Sequence, residues 1–174
     1  MEENVVLDRA KLPPFLSGMY PKQLGILVPD IEEGIRMWSA LTGRDDWRMY
    51  TYSPDWVPEL TYRGQPGRFS MRLALLGAEP QVELIQPLDG PSLYHEWIDE
   101  HGYGMHHVGF WVPSIDEVAA QATAAGIEIT QSGRGYGMDG DGGFIYLDTQ
   151  ESAGMILEAI EVPKQRRPSE PIPL

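Results

Sequence analysis

The segment "QLGILVPDIEEG", which begins at Gln23, returns at His107 as "HVGFWVPSIDEV" with Gly, Val, Pro, Ile and Glu in register. An internal repeat limits the possible folds more than any other feature of this chain. Each copy must be one supersecondary unit, and the copies must bury their apolar faces together. Each opens with a strand, Leu24 to Val28 or Val108 to Val112, closed by a proline. A helix start follows, with Asp30 and Glu33 or Ser114 and Glu117 spaced as capping boxes. The first helix carries Ile31, Ile35, Trp38 and Leu41 at helical period. The second carries Ile115, Val118, Ala119, Ala122 and Ala125 before Gly126.

Short strands follow each helix: "ELTYRG", "FSMRLALLG" and "QVELIQPL" in the first copy, "IEITQ", "GGFIYLD" and "MILEAIEV" in the second. The fold class is therefore α+β, with paired βαβββ modules forming a curved mixed sheet. A helix covers one sheet face of each module, so a pseudo-twofold turns the other faces toward a shared cleft. The division reads as an N-terminal arm over 1–19, a first module over 20–90 and a linker helix within 91–104. A second module over 105–163 and a C-terminal tail over 164–174 complete it. The linker helix, roughly Ser92 to His101, turns Leu93, Trp97 and Ile98 inward. Both ends are rich in proline and read as arms.

Side-chain parity then selects cleft residues, because strand neighbours point to opposite faces. Leu24, Ile26 and Val28, like Val108, Phe110 and Val112, suit packing under the helices. Gln23, Gly25 and Leu27, and His107, Gly109 and Trp111, then face the cleft. Of the adjacent pair His106 and His107, only His107 reaches it, and His106 is read as structural. In the last strand of each copy, Glu83 and Glu158 sit alone between aliphatics at matching positions, where burial without a partner is costly. Gln23, Glu83, His107 and Glu158 thus converge, and one imidazole, two carboxylates and an amide oxygen suit a divalent ion. Each taken singly has an ordinary reading as an edge or core residue; the matched positions are what single out the set.

Among the 174 residues there is no cysteine, which removes disulfide and thiolate chemistry. The net charge of −13 and a pI near 4.6 argue against binding nucleic acid through its phosphates. No segment reads as a signal peptide or a membrane span, so a cytoplasmic protein is expected. The Gly-rich run "QSGRGYGMDGDGG" lacks phosphate-loop and calcium-loop spacing and reads as a mobile loop over the cleft mouth.

With these residues in place, "QLGILVPDIEEG", "GMHHVGFWV", "VELIQPL" and "GMILEAIEV" resemble the vicinal oxygen chelate superfamily. It includes glyoxalase I, methylmalonyl-CoA epimerase, extradiol dioxygenases and bleomycin resistance proteins. The likeness spans roughly Tyr20 to Pro163 and is nearest the epimerase-like branch. It implies a central metal cleft with Gln23, Glu83, His107 and Glu158 as ligands to Zn, Co, Ni, Mn or Fe. Epimerases usually carry His where this chain has Gln23, whereas some glyoxalase I enzymes resemble it with a Gln, Glu, His, Glu set. The implied activity is an isomerase, epimerase or lyase acting through an enolate of a carbonyl substrate. Glu158 is the first choice of catalytic base and Glu83 the second.

The expected partner is a small carbonyl compound, aromatic or an acyl thioester, and the expected assembly a homodimer. Trp47, Tyr50, Tyr52, Trp56 and Tyr62 lie in an aromatic insert that would wall the substrate cleft, with Trp111 beside them. Arg72, together with Arg63 and Arg68, would hold a carboxylate or phosphate. Two alternatives stand beside the isomerase. One is a resistance-type binding protein of the same fold, which has no need of metal ligands. The other is an iron-dependent dioxygenase, which would favour a second His.

Overall fold

The computed structural model describes residues 16–172. The first module contains β1 (Gln23–Leu27), α1 (Ile31–Thr42), β2 (Arg48–Tyr52), β3 (Glu59–Tyr62), β4 (Gln65–Pro66), β5 (Met71–Leu76) and β6 (Gln81–Pro87). After α2 (Leu93–His101) come β7 (Gly104–Trp111), α3 (Ile115–Ala124), β8 (Ile129–Tyr136), β9 (Gly142–Leu147), α4 (Gln150–Ala153) and β10 (Ile156–Glu161). All ten strands form one curled mixed sheet in the order β2-β5-β6-β1-β7-β10-β9-β8-β3-β4.

The repeat is visible in this order. β1 pairs parallel with β6, and β7 pairs parallel with β10, while β1 and β7 meet antiparallel at the centre. Asp30 and Ser114 cap α1 and α3, each accepting from the N–H three residues on, at Glu33 and Glu117. A second cap repeats as well: Gln86 of β6 accepts from Ile31 N–H, and Glu161 of β10 accepts from Ile115 N–H.

Strand alternation divides the apolar residues into three cores. Val28, Ile31, Ile35, Trp47, Met49 and Leu84 pack under α1. Val112, Ile115, Val118, Ile145 and Leu157 pack under α3. The third core fills the inside of the curl and is strongly aromatic, with Tyr50, Tyr52, Phe69, Tyr94, Tyr136, Phe144 and Tyr146. At about 25 cal/mol per Å² of apolar surface buried, these faces are the main reason the sheet closes on itself.

Several details differ from expectation. Leu41 is 73 % exposed. Ten residues on from Ile31, at 3.6 residues per turn, it has rotated about 80° off the buried stripe. Ala125 is exposed as well, at the end of α3. "ELTYRG" does not complete the first module. Its strand β3 pairs antiparallel with β8, so the β3–β4 hairpin extends the second half, and "RMYTY" supplies β2 instead. Residues 131–136 of "QSGRGYGMDGDGG" belong to strand β8 and 142–143 to β9, rather than to a mobile loop; only residues 137–141 form the turn between them. The C-terminal tail is an ordered strap. Gln165 C=O accepts from Met138 N–H, and Glu170 pairs with Met49 in an isolated bridge at the free edge of β2. Most of the expected N-terminal arm lies outside the described residues, but Leu16 and Met19 pack on the core under α3.

Candidate metal centre and adjoining cavity

Four central strands bring Gln23, Glu83, His107 and Glu158 to the inner face of the curl, all of them buried. Register explains how. Gly25 of β1 stands between Glu83 and His107, and Gly109 of β7 stands between Gln23 and Glu158. The two glycines are the ones that recur in the repeat, and both make room for neighbouring side chains. A Cβ at Gly25 would fall on the His107 ring, and one at Gly109 would lie 3.0 Å from the Gln23 side chain.

His107 Nε2 lies 3.0 Å from Glu158 Oε2 and 3.5 Å from Glu83 Oε2. One donor atom from each of the three falls within 4.8 Å of the others, a spacing compatible with a shared metal ion. Gln23 Oε1, His107 Nε2 and Glu158 Oε2 are buried and have no hydrogen-bond partner. Buried polar atoms normally find one. Polar atoms converging from three strands, once His107 gives up its proton, are what a cation would satisfy, so the donor set fits a divalent metal. Gln23 Nε2 donates to Gln81 Oε1 at 3.0 Å, which turns the amide oxygen away from Gln81.

Burial pulls the His107 imidazole toward neutrality, but Glu158 and Glu83 outweigh it and raise its pKa to about 9. Burial also raises the Glu158 carboxyl above its ordinary value, against the opposing pull of His107. Without metal, the His107 imidazole thus favours its protonated form beside Glu158 and Glu83.

Parity does not hold at the histidine pair. The β1–β7 register passes from Gly25↔His107 to Ile26↔Met105, which leaves His106 as the extra residue of a β-bulge. The bulge breaks the alternation, and both rings turn inward, with His106 Nδ1 3.0 Å from His107 Nδ1. Burial and the His107 charge hold the His106 pKa well below its ordinary value. A neutral His106 accepting from His107 Nδ1–H aims His107 Nε2 at the carboxylates, where loss of the Nε2 proton would leave a lone pair for a metal. Its ring is held edge-on by Trp97 and Tyr146, and tilted against Tyr94. Tyr94 and Tyr146, which also share a hydroxyl contact of 3.1 Å, were not singled out by the sequence. The signals for them were the helical spacing of Tyr94 with Trp97 and Ile98 on α2 and the alternation of Tyr146 with Phe144 on β9, where Tyr146 pairs with Glu158.

A small cavity of about 20 Å³ is lined by Gln23, Glu83, Glu158, Tyr146 and Tyr52, among others. A larger one of about 440 Å³ adjoins it, walled by Tyr50, Tyr52, Trp56, Tyr136, Met138 and the tail. Tyr52, Tyr136 and Arg166 line both. Three members of the aromatic insert, Tyr50, Tyr52 and Trp56, therefore stand at the cavity. Trp47 lies under α1, where its Nε1–H donates to Ser39. The Tyr62 hydroxyl bonds Glu96, which also holds Arg63 in an ion pair. Arg72 alternates with Met71 and Leu73, so it points to the helix side and pairs with Glu32 of α1 at 2.7 Å. Trp111 is half-buried beside Lys22. Neither cavity is lined by Trp47, Tyr62, Arg63, Arg68, Arg72 or Trp111.

A family model for the glyoxalase/bleomycin resistance protein/dioxygenase superfamily matches residues 22–146. Among solved structures, a hypothetical protein from Bacillus halodurans is similar at 19% identity and TM-score 0.58, covering 87% of this chain and 99% of its own. A methylmalonyl-CoA epimerase in complex with methylmalonyl-CoA and NH4+ aligns at 19% identity and TM-score 0.58, over 86% and 99% of the two chains. The methylmalonyl-CoA epimerase of Mycobacterium tuberculosis aligns at 21% identity and TM-score 0.55, over 83% and 89%. At these identities the likeness is one of fold. No curated protein matches the chain in sequence.

Proposed function

The chain belongs to the glyoxalase/bleomycin resistance protein/dioxygenase superfamily, and on that premise we propose that it is a divalent-metal-dependent enzyme. Its reaction would move a proton on the carbon next to a carbonyl, as an isomerase, epimerase or lyase does. The observation that carries this reading is the buried Glu83, His107, Glu158 group with Gln23 beside it, whose unsatisfied atoms converge. A binding protein that only sequesters a ligand has no use for two carboxylates and an imidazole at this depth, where desolvation is costly.

A divalent ion in this set supplies a Lewis acid that stabilises negative charge developing on a carbonyl oxygen. His107 and Gln23 then serve as fixed donors, held by His106 and Gln81. Glu158 takes the proton from the substrate carbon, since its carboxylate borders the small cavity and sits beside the larger one. Glu83 faces it across the cavity; in its protonated form it would give its proton to the opposite face and end as the carboxylate while Glu158 ends protonated, which is what inverting a stereocentre requires. The aromatic lining excludes water and supports an aromatic ketone or acyl thioester as substrate.

Deuterium uptake from heavy water tests this. Metal-loaded protein should exchange the alpha proton of at least one member of a panel of 2-oxo acids, acyl-CoA esters and aromatic ketones. Glu158→Gln keeps a ligating oxygen but no base, so exchange should fall by roughly a hundredfold or more. Exchange that persists unchanged moves the base role to Glu83. No exchange with any substrate in any metal form overturns the enzyme reading in favour of sequestration.

A further inference from the structure

Two cations lie in the larger cavity with no ion-pair partner among the described residues. Arg166 and Arg167 arrive on the C-terminal strap, and neither has an Asp or Glu oxygen within 4.0 Å among the described residues. The other described arginines in this acidic chain mostly pair: Arg36, Arg44, Arg63, Arg72 and Arg134 each hold a carboxylate. Glu170 also lines the cavity, but its carboxylate is committed to Thr51, accepting from both the backbone N–H and the hydroxyl.

The two guanidiniums are held in place without being neutralised. Arg166 donates one hydrogen bond, to the Tyr52 hydroxyl at 3.1 Å, and lies 5.8 Å from the ring centres of both Tyr50 and Tyr136. Arg167 lies over Trp56 at 3.7 Å, and its Nη1 is buried with no partner. Stacking on aromatic faces fixes the plane of a guanidinium while leaving its N–H fork free for an oxyanion. Burial acts against the Arg166 charge, yet Tyr52, Tyr136 and Glu83 keep its pKa above the ordinary value. Arg166 also belongs to the wall shared with the small cavity that contains Glu83 and Glu158.

We propose that Arg166 and Arg167 form an oxyanion-binding subsite, so that the ligand of the larger cavity is an organic anion with a bulky apolar body. The oxyanion takes the free N–H groups of the two arginines, and the body lies on Trp56, Tyr50 and Met138. A cavity of about 440 Å³ is the size of small-molecule sites rather than of a single ion. The inference rests on the functional reading above only in assuming that this cavity serves the same centre. It narrows the substrate to carbonyl compounds that also carry a carboxylate or a phosphate.

Binding to protein stripped of metal with a chelator tests it apart from any turnover. The probes are phenylpyruvate, phenyl phosphate and the neutral ketone 1-phenylpropan-2-one, followed by calorimetry and by tryptophan fluorescence. At least one anion should bind roughly tenfold to a hundredfold more tightly than the ketone, the range expected of charge-assisted hydrogen bonds. Arg166→Gln and Arg167→Gln should each remove most of that preference, and Arg166→Lys should restore part of it. A stronger response to phenyl phosphate than to phenylpyruvate identifies phosphate as the oxyanion, and the reverse identifies carboxylate. Equal binding of the ketone and both anions to the unaltered protein overturns the proposal without reference to any variant. So does an anion preference that survives in the double glutamine variant. Failure of deuterium exchange would leave these measurements standing, so the two readings fail separately.

Discussion

The two modules supply matching positions with different chemistry and hold them by different means. In the first, Gln23 is a neutral amide, oriented by Gln81 on the neighbouring strand. In the second, the matching residue is His107, and the place of Gln81 is taken by Ile156, which offers no polar contact. Orientation comes instead from within the strand, through the bulge that turns His106 against His107. The carboxylates Glu83 and Glu158 are alike in both halves, and so are the helix caps three residues further on. The two carboxylates are therefore symmetric, while the opening residue of each module differs together with its support. One half offers a neutral amide oxygen held by a second amide, and the other an imidazole held by a second imidazole.

The sharpest way to break this contrast is to remove each opening residue. His107→Ala should weaken metal binding by more than the roughly hundredfold upper range of an outer partner. Gln23→Ala should weaken it far less. Equal losses, measured by metal titration against a chelating indicator, would mean that the modules contribute equally. Next in size is the pair of outer supports. His106→Phe fills the same space without accepting from His107 and should weaken binding by roughly tenfold to a hundredfold. Gln81→Leu should fall at or below the lower end.

The glycines should differ in the same direction. Gly25→Ala sets a methyl group on the His107 ring, an overpacking of about 1–3 kcal/mol that also displaces the ligand. Gly109→Ala meets the flexible end of Ile160 and the Gln23 side chain at 2.9–3.0 Å, and should destabilise less. Thermal unfolding of both variants, with and without metal, reads the difference.

A pH series sharpens the comparison by isolating the titrating half. The folded pKa of His107, about 9, stands above the ordinary 6.5 of the free residue. Its stabilising effect on metal-free protein is therefore complete below about pH 6.5 and lost as pH rises toward 9. Metal binding must displace the same proton, so affinity should rise with pH across that window. His107→Gln should flatten both trends, while Gln23→Ala should leave them in place. The smallest effect concerns the outer edges of the sheet. Glu170→Ala removes the strap's hold on Thr51 at the β2 edge and should cost about 1 kcal/mol in chemical denaturation.

Much of this was legible in the sequence, and the residues show why the rest was not. Repeat register and strand alternation were enough to bring Gln23, Glu83, His107 and Glu158 together, because both are local rules. They did not reach His106, since a bulge depends on how β7 pairs with β1 and not on β7 alone. Arg72 was misplaced although alternation was available: "MRLALL" puts it opposite Met71 and Leu73, on the α1 side. The strand β3 was assigned to the wrong half because its hydrogen-bond partner is β8, far along the chain. The tail was read as an arm because proline-rich segments lack periodicity, yet "QRRPSEP" holds the strap through single contacts that no pattern announces.

The pairing of β3 with β8 also bears on how the chain reaches its folded state. Thr61 and Ser132, whose hydroxyls meet across that ladder, are separated by 71 positions. Closing so long a loop before any contact rewards it is a slow step. The outer hairpin can dock only once β8 has joined β9 to offer it an edge, so it should follow the condensation of the second half. Until it does, β8 presents open backbone groups, and a fragment ending after α2 would carry the hairpin with no strand to receive it. The duplicated halves are in this sense not separable: the first one holds the strand that covers the edge of the second in the folded protein and keeps it from pairing with other chains.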